Sequence, residues 1–148
     1  MGVVDIARLF AAYPGTKAAQ IRYEAAAREK ERALEKEKKE IRKRRADHEK
    51  RKSSLSKKER QAAEKELKDL EEAHDARVEA ALAELKEREE RISRDVVFEI
   101  REYVAKAAKK RKIELVFDKD KVVWAERAQD LTRDVLESFE PEREKKKP

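Results

Sequence analysis

Large apolar side chains are concentrated at the two ends of this chain and nearly absent from its middle. Residues 1–23 hold three aromatic residues and residues 98–139 hold five, whereas residues 24–97 hold none. Aromatic side chains supply much of the area that a core buries. A core can therefore form only if the two ends of the chain meet, and the middle is predicted to be a long projection.

The middle of the chain has the pattern of two long helices. The first is expected to be capped by Thr16 and to run without a breaker to about Lys52. Ser56 and Glu59 have the spacing of a capping box, which starts a second helix that runs to about Lys112. Apolar positions recur about every 3.6 residues along the second helix, from Leu67 through Leu82 to Ala107. A sparser line of positions, spaced by seven, follows the first helix, and we call each of these two lines a seam. The members of the sparser seam are Leu34, Ile41, His48 and Leu55. An antiparallel helical hairpin with its tip near residues 53–56 is predicted.

The two ends have the pattern of short strands and helices. Val3, Val4 and Ile6 read as a strand, and residues 7–13 as a helix that stops at Pro14-Gly15. Residues 113–117 and 121–125 read as the two strands of a β-hairpin around a turn at 118–120. Residues 130–139 read as an amphipathic helix whose apolar face is Leu131, Val135, Leu136 and Phe139. The predicted fold is mainly α with a small β body, in which 1–16 and 113–140 form the body, 17–112 the hairpin arm and 141–148 a disordered tail.

A body of this size is expected to be only marginally stable alone. Domains with so few ordered residues bury little apolar surface, and unpaired strand edges invite association. We therefore expect a homo-oligomer joined through the strands of the body. The residues expected to pack there, within or between chains, are Val3, Val4, Ile6, Leu115, Phe117, Val122 and Trp124.

Composition argues against several functional classes. Half of the residues are charged, there is no Cys, and there are only two Gly. These counts exclude a disulfide framework and a glycine-rich nucleotide loop, and no apolar run reaches the length of a membrane span. His48 and His74 both fall on the seams, where packing is expected rather than metal binding. With no nucleophile motif visible, we expect neither an enzyme nor a cofactor.

The net charge of +6 conceals a basic region in the middle of the chain. Residues 36–60 carry 13 Lys or Arg against 5 Asp or Glu, whereas residues 61–95 carry 7 against 12. Such a region can attract acidic polypeptides or lipid phosphates in a salt-dependent way, although a charge run can also be a merely solvated face. The candidate client- and anion-binding residues are Lys38, Lys39, Arg42, Lys43, Arg44, Arg45, Lys50, Arg51, Lys52, Lys57, Lys58 and Arg60.

Several segments resemble the Skp (OmpH-like) family of periplasmic chaperones. The similarity lies at 2–5 (GVVD), 9–10 (LF) and 13–19 (YPGTKAA), at the tip 55–59 (LSKKE), and at the close, 104–110, 115–119, 122–124 and 130–132. It implies a jellyfish-shaped homotrimer in which strands of three chains form a small β-barrel base and three hairpin arms enclose a cavity. It also implies an ATP-independent holdase for unfolded outer-membrane proteins, with lipopolysaccharide or anionic membrane surfaces as further partners.

The chain also departs from the family pattern. The family's secretory signal peptide is missing, so Met1 is expected to begin a mature, periplasmic form. Arg111-Lys112 stands where the family often has Gly, and the arms lack Asn, which a thermophilic or a redesigned sequence would explain. The alternatives to a holdase are a basic coiled coil that binds nucleic acid and a passive or designed trimeric scaffold. No aromatic side chain interleaves the basic region for base stacking, which disfavours nucleic acid.

Overall fold

The computed structural model describes residues 1–141, which are mainly helical with a small three-stranded sheet, as predicted. The elements in chain order are strand β1 (Gly2–Val4), helices α1 (Ile6–Ala12), α2 (Pro14–Arg51) and α3 (Lys57–Lys110), strands β2 (Val116–Asp118) and β3 (Gln129–Asp130), and helix α4 (Thr132–Ser138). Single 3₁₀ turns occupy Lys52–Ser54 and Lys119–Lys121. Except for Pro141, the tail predicted to be disordered lies outside the described residues.

The chain divides into two compact units, which are described separately. The first unit combines Met1–Arg22 with the chain from Glu89 onward. The second unit is Tyr23–Arg88, which holds parts of α2 and α3 and the turn between them.

The sheet of the first unit has the order β2-β1-β3, and both pairings are parallel. Gly2 is in register with Val116 on one side and with Gln129 on the other. The predicted β-hairpin is therefore wrong. Strand β1 pairs with β2 on one edge and with β3 on the other, both from the same chain. After β2 the chain turns and crosses to the opposite side of β1, where it forms β3. Residues 122–125, predicted as a strand from their β-branched and aromatic pattern, join no strand.

Two helix starts differ from the prediction by a few residues. Ile6, predicted in the strand, begins α1, because the Asp5 carboxylate accepts a hydrogen bond from the Arg8 N–H at 2.9 Å and caps the helix. Helix α2 begins at Pro14 rather than after Thr16. Proline is favoured in the first helical turn, since its fixed φ suits the helix and it has no N–H to leave unpaired.

The end of α3 explains why the next strand begins later than predicted. The Ile113 N–H donates to the Ala108 carbonyl at 2.9 Å, and the Lys112 N–H donates to the Lys109 carbonyl at 3.1 Å. This is a Schellman cap, which requires a left-handed residue, and Lys112 has φ 56°. Ile113 is thus committed to the cap and is buried, and pairing with β1 begins only at Val116.

The core of the first unit is built from both ends of the chain. Leu9, Ile100, Leu131, Val135 and Phe139 are fully buried, and Tyr13 and Tyr103 pack with Phe139, with ring centroids 5.0–5.8 Å apart. Three of the four residues predicted to form the apolar face of α4 are therefore fully buried, and Leu136 packs partly buried against them.

Polar contacts fix α4 on this core. The Thr132 hydroxyl accepts a hydrogen bond from the Asp5 N–H at 3.0 Å. Hydrogen bonds from the Thr132 hydroxyl and from its backbone N–H, reinforced by Lys119, hold the pKa of Asp130 below its ordinary value. The Asp134 carboxylate accepts two hydrogen bonds from Arg111, at 2.6 and 3.0 Å, and thereby raises the pKa of that guanidinium.

Candidate functional site: the basic helical hairpin

The two helices of the second unit pack antiparallel along the predicted seam. Ile41 is buried, whereas Leu34 and His48 of α2 and Leu55, just after the 3₁₀ turn that follows α2, are partly buried among charged neighbours. Most of the α3 positions predicted to face them are also partly buried, but Leu82 is 64% exposed. At 100° per residue Leu82 lies at the border of the apolar stripe rather than at its centre.

The predicted capping box is confirmed at the start of α3. The Glu59 N–H donates to the Ser56 hydroxyl at 3.2 Å, and the Ser56 N–H donates to the Glu59 carboxylate at 3.1 Å. Just before it, the Ser54 hydroxyl donates to the Arg51 carbonyl at 2.8 Å. These local bonds satisfy two free N–H groups at the start of α3 and one free carbonyl at the end of α2.

Carboxylates of α3 neutralise some of the cations on α2. The Lys30 ammonium lies 2.7 Å from the Glu84 carboxylate, and this hydrogen bond, with its charge, lowers the pKa of Glu84. Arg44 pairs with Glu66 at 3.2 Å as well as with Glu40 on its own helix, and Arg45 pairs with Glu71. Arg44 and Arg45, both candidate binding residues, are thus already occupied by carboxylates.

The other ten candidate cations make no ion pair within residues 1–141. Nine of them are exposed, and Arg60 is partly buried, with an Nε that has no hydrogen-bond partner in that range. The ten are Lys38, Lys39, Arg42, Lys43, Lys50, Arg51, Lys52, Lys57, Lys58 and Arg60. Sequence reasoning missed Arg28, Arg32 and Lys36, which are likewise exposed and unpaired within residues 1–141. A search for charges at helical spacing would have found them.

Both histidines lie in the seam, each opposite a carboxylate of the other helix. His48 Nε2 lies 3.7 Å from Glu64 Oε1, and His74 Nδ1 lies 3.1 Å from Glu37 Oε2. Glu37 also pairs with Arg77. Within residues 1–141, no group of His, Asp and Glu side chains is arranged to hold a metal ion.

The residues proposed for oligomerisation, all in the first unit, fall into two groups. Val3 and Val4 are buried within the chain itself, and Ile6 and Val122 are partly buried. Leu115 and Phe117 are 56% and 41% exposed, and Trp124 is 78% exposed beside a fully exposed Val123. Single exposed apolar residues are ordinary, but this group lies close together in the sequence on a small domain.

Comparisons with known proteins agree on one family. The family model described as outer membrane protein (OmpH-like) matches residues 1–139. A solved OmpH-like protein of Caulobacter crescentus, proposed to be an outer membrane chaperone, superimposes with a TM-score of 0.84 at 15% sequence identity. The match covers 95% of this chain and 83% of that one. No curated protein matches in sequence.

No helix within residues 1–141 is long and apolar enough to cross a bilayer.

Proposed function

The chain belongs to the OmpH-like family of outer membrane proteins, and on that premise we propose that it is a periplasmic chaperone that holds unfolded outer-membrane proteins without ATP. The family match over residues 1–139 is the observation that carries the proposal. The solved relative with the same fold, itself proposed to be an outer membrane chaperone, supports it.

The charge on the hairpin suits such a role. Ten of the candidate cations are unpaired within residues 1–141, so their charge is available to an acidic partner. Attraction between exposed charges is weak for each pair and is screened by salt. A chaperone of this kind gathers its client through many such contacts and releases it as the client folds elsewhere. Lipopolysaccharide and anionic membrane surfaces offer phosphates that the same cations would attract.

The proposed assembly is a homotrimer that associates through the first unit. Phe117 lies in the edge strand β2, whose outer side has no strand neighbour among residues 1–141, and Trp124 is exposed a few residues later. Association of three copies would cover these side chains and pair the open strand edges in a shared barrel. The hairpin arms of the three copies would then surround one client.

The test is an aggregation assay. An outer-membrane β-barrel protein unfolded in urea is diluted into buffer with and without the chain, and light scattering is followed at low and high salt, with no nucleotide present. We expect suppressed scattering, with weaker suppression at high salt. Scattering that rises as fast with the chain as without it would contradict the proposal.

A further inference from the structure

The solvent face of α2 carries a long stripe of basic side chains. Every third or fourth residue from Arg28 is Lys or Arg, with a single interruption at Ala46. The members, all exposed, are Arg28, Arg32, Lys36, Lys39, Lys43 and Lys50, and we call this set the α2 stripe. At 100° per residue the stripe lies about 180° around the helix from the seam of Leu34, Ile41 and His48. It therefore points away from α3.

The α2 stripe is not neutralised within the described residues. Two cations nearer α3 have carboxylate partners there, Lys30 in Glu84 and Arg44 in Glu66. Members of the stripe make no hydrogen bond or ion pair through their side chains within residues 1–141. Glu35 and Asp47 lie on its flanks, yet neither comes within ion-pair distance of it. The stripe thus presents six unpaired positive charges in a row.

The spacing of the stripe limits what can bind along it. At ~1.5 Å rise per residue, the cations from Arg28 to Lys43 follow one another at roughly 4.5–6 Å. In an extended polypeptide every second side chain points the same way, at steps of about 6.6 Å. The two spacings differ by about 0.6–2.1 Å per step and by about 4 Å over the four steps from Arg28 to Lys43, a mismatch that long, flexible Lys and Arg side chains can span. A carboxylate at alternate positions of an extended chain would therefore meet one cation after another.

We propose that the α2 stripe binds extended polypeptide segments that carry Asp or Glu at alternate positions. The proposal rests on the proposed chaperone function, because it defines which part of an unfolded client is recognised. Strands of outer-membrane barrels alternate apolar and polar residues along the chain, so the polar side of such a strand has the required period. The stripe itself has no aromatic or large apolar side chain, so its contacts are electrostatic and exchange rapidly.

The test compares two fluorescent peptides of about 15 residues that have one composition and one net charge. One has Glu at alternate positions, and the other has the same Glu residues clustered at one end. Binding to the full chain is measured by anisotropy at low salt, with a short DNA duplex as a third ligand. We expect the alternating peptide to bind at least about threefold more tightly than the clustered one, the size of one exposed charge contact.

Matched variants assign the binding to the stripe. The triple variant Lys36→Gln/Lys39→Gln/Lys43→Gln should weaken binding of the alternating peptide roughly tenfold, since three exposed contacts are lost. The control Lys17→Gln/Lys65→Gln/Lys86→Gln removes the same charge from exposed positions off the stripe and should change the affinity less than about twofold. Circular dichroism of each variant checks that the helices are retained.

Three outcomes would overturn the proposal: equal affinity for the two peptides, equal loss in the stripe and control variants, or tighter binding of the duplex than of the alternating peptide. The aggregation assay separates this proposal from the chaperone function. A chain that prefers the alternating peptide but leaves the barrel protein to precipitate would refute the chaperone function alone. A chain that suppresses aggregation without preferring that peptide would refute the stripe proposal alone.

Discussion

Replacing Gly15 with alanine tests how tightly the start of α2 packs on the aromatic core. In an exposed helix interior this substitution stabilises by about 1 kcal/mol, because alanine has the higher helix propensity. Here a methyl group on Gly15 would stand 2.3 Å from Cε1 and 3.0 Å from Cδ1 of the Tyr13 ring. Gly15 is itself buried. Either the ring or the first turn of α2 must move.

The Tyr13 ring has little freedom to move. It is 4% exposed, lies 5.0 Å from the Phe139 ring, and donates a hydrogen bond from its hydroxyl to the Glu99 carboxylate at 2.5 Å. An aromatic pair contributes about 0.5–1.5 kcal/mol, and a hydrogen bond to a charged group about 1.5–3 kcal/mol. Loss of more than about half of these two contributions exceeds the gain of about 1 kcal/mol from helix propensity. We therefore expect Gly15→Ala to lower the free energy of unfolding by about 1–3 kcal/mol, the usual cost of overpacking.

Urea and thermal unfolding at one fixed protein concentration measure this change, because association would otherwise alter the apparent stability. The same substitution in a Tyr13→Leu background is the control, since the smaller side chain leaves room for the methyl group. There Gly15→Ala should be neutral or stabilise by up to about 1 kcal/mol. An increase in unfolding free energy caused by Gly15→Ala in the otherwise unchanged chain would refute the packing described here.

Four further predictions follow from single features of the structure. Lys112→Gly should raise the unfolding free energy by about 1 kcal/mol, because glycine adopts the left-handed cap without the Cβ penalty; unchanged or lower stability would contradict the cap. Ser56→Ala should cost about 1 kcal/mol and accelerate hydrogen exchange in the first turn of α3, whereas unchanged exchange would mean that the box does not hold the turn. Because the pKa of Asp130 is lowered in the folded chain, this carboxylate stabilises the fold fully at pH values above its unfolded pKa, near 3.9. That stabilisation is lost as the pH falls through the folded pKa. Asp130→Asn should therefore reduce the loss of stability between pH 6 and pH 3, and a loss equal to that of the unchanged chain would contradict this. Trp124 is the only tryptophan, so its emission should shift to shorter wavelength as protein concentration rises; emission that stays constant would contradict its burial on association.

Features governed by local chemistry could be predicted from the sequence. The capping box of Ser56 and Glu59 needs only its four residues, and the apolar face of α4 follows from a helical period alone. The seam of α2 was also predictable, because Leu34, Ile41 and His48 are spaced by seven among charged neighbours. In each case the signal lies within a few turns of one element.

Features governed by pairing across the chain could not be predicted in the same way. Residues 122–125 have the composition of a strand, but a strand needs a partner edge, and β2 and β3 occupy both edges of β1. Arg44 and Arg45 form ion pairs with carboxylates of α3. Which cations are paired in this way depends on the register of the two helices, which a local sequence pattern does not define. The period of the α2 stripe is present in the sequence, but the net charge of a segment does not reveal it, because the stripe depends on spacing rather than on totals.

The mass of the complex formed with an unfolded client tests the central claim most directly. A urea-unfolded outer-membrane barrel protein, diluted with excess chain and no nucleotide, is analysed by sedimentation velocity, and the client's circular dichroism is compared with that of its folded barrel. We predict one soluble species that contains several copies of the chain and one client without barrel structure. A client that sediments as aggregate while the chain sediments alone would contradict the account.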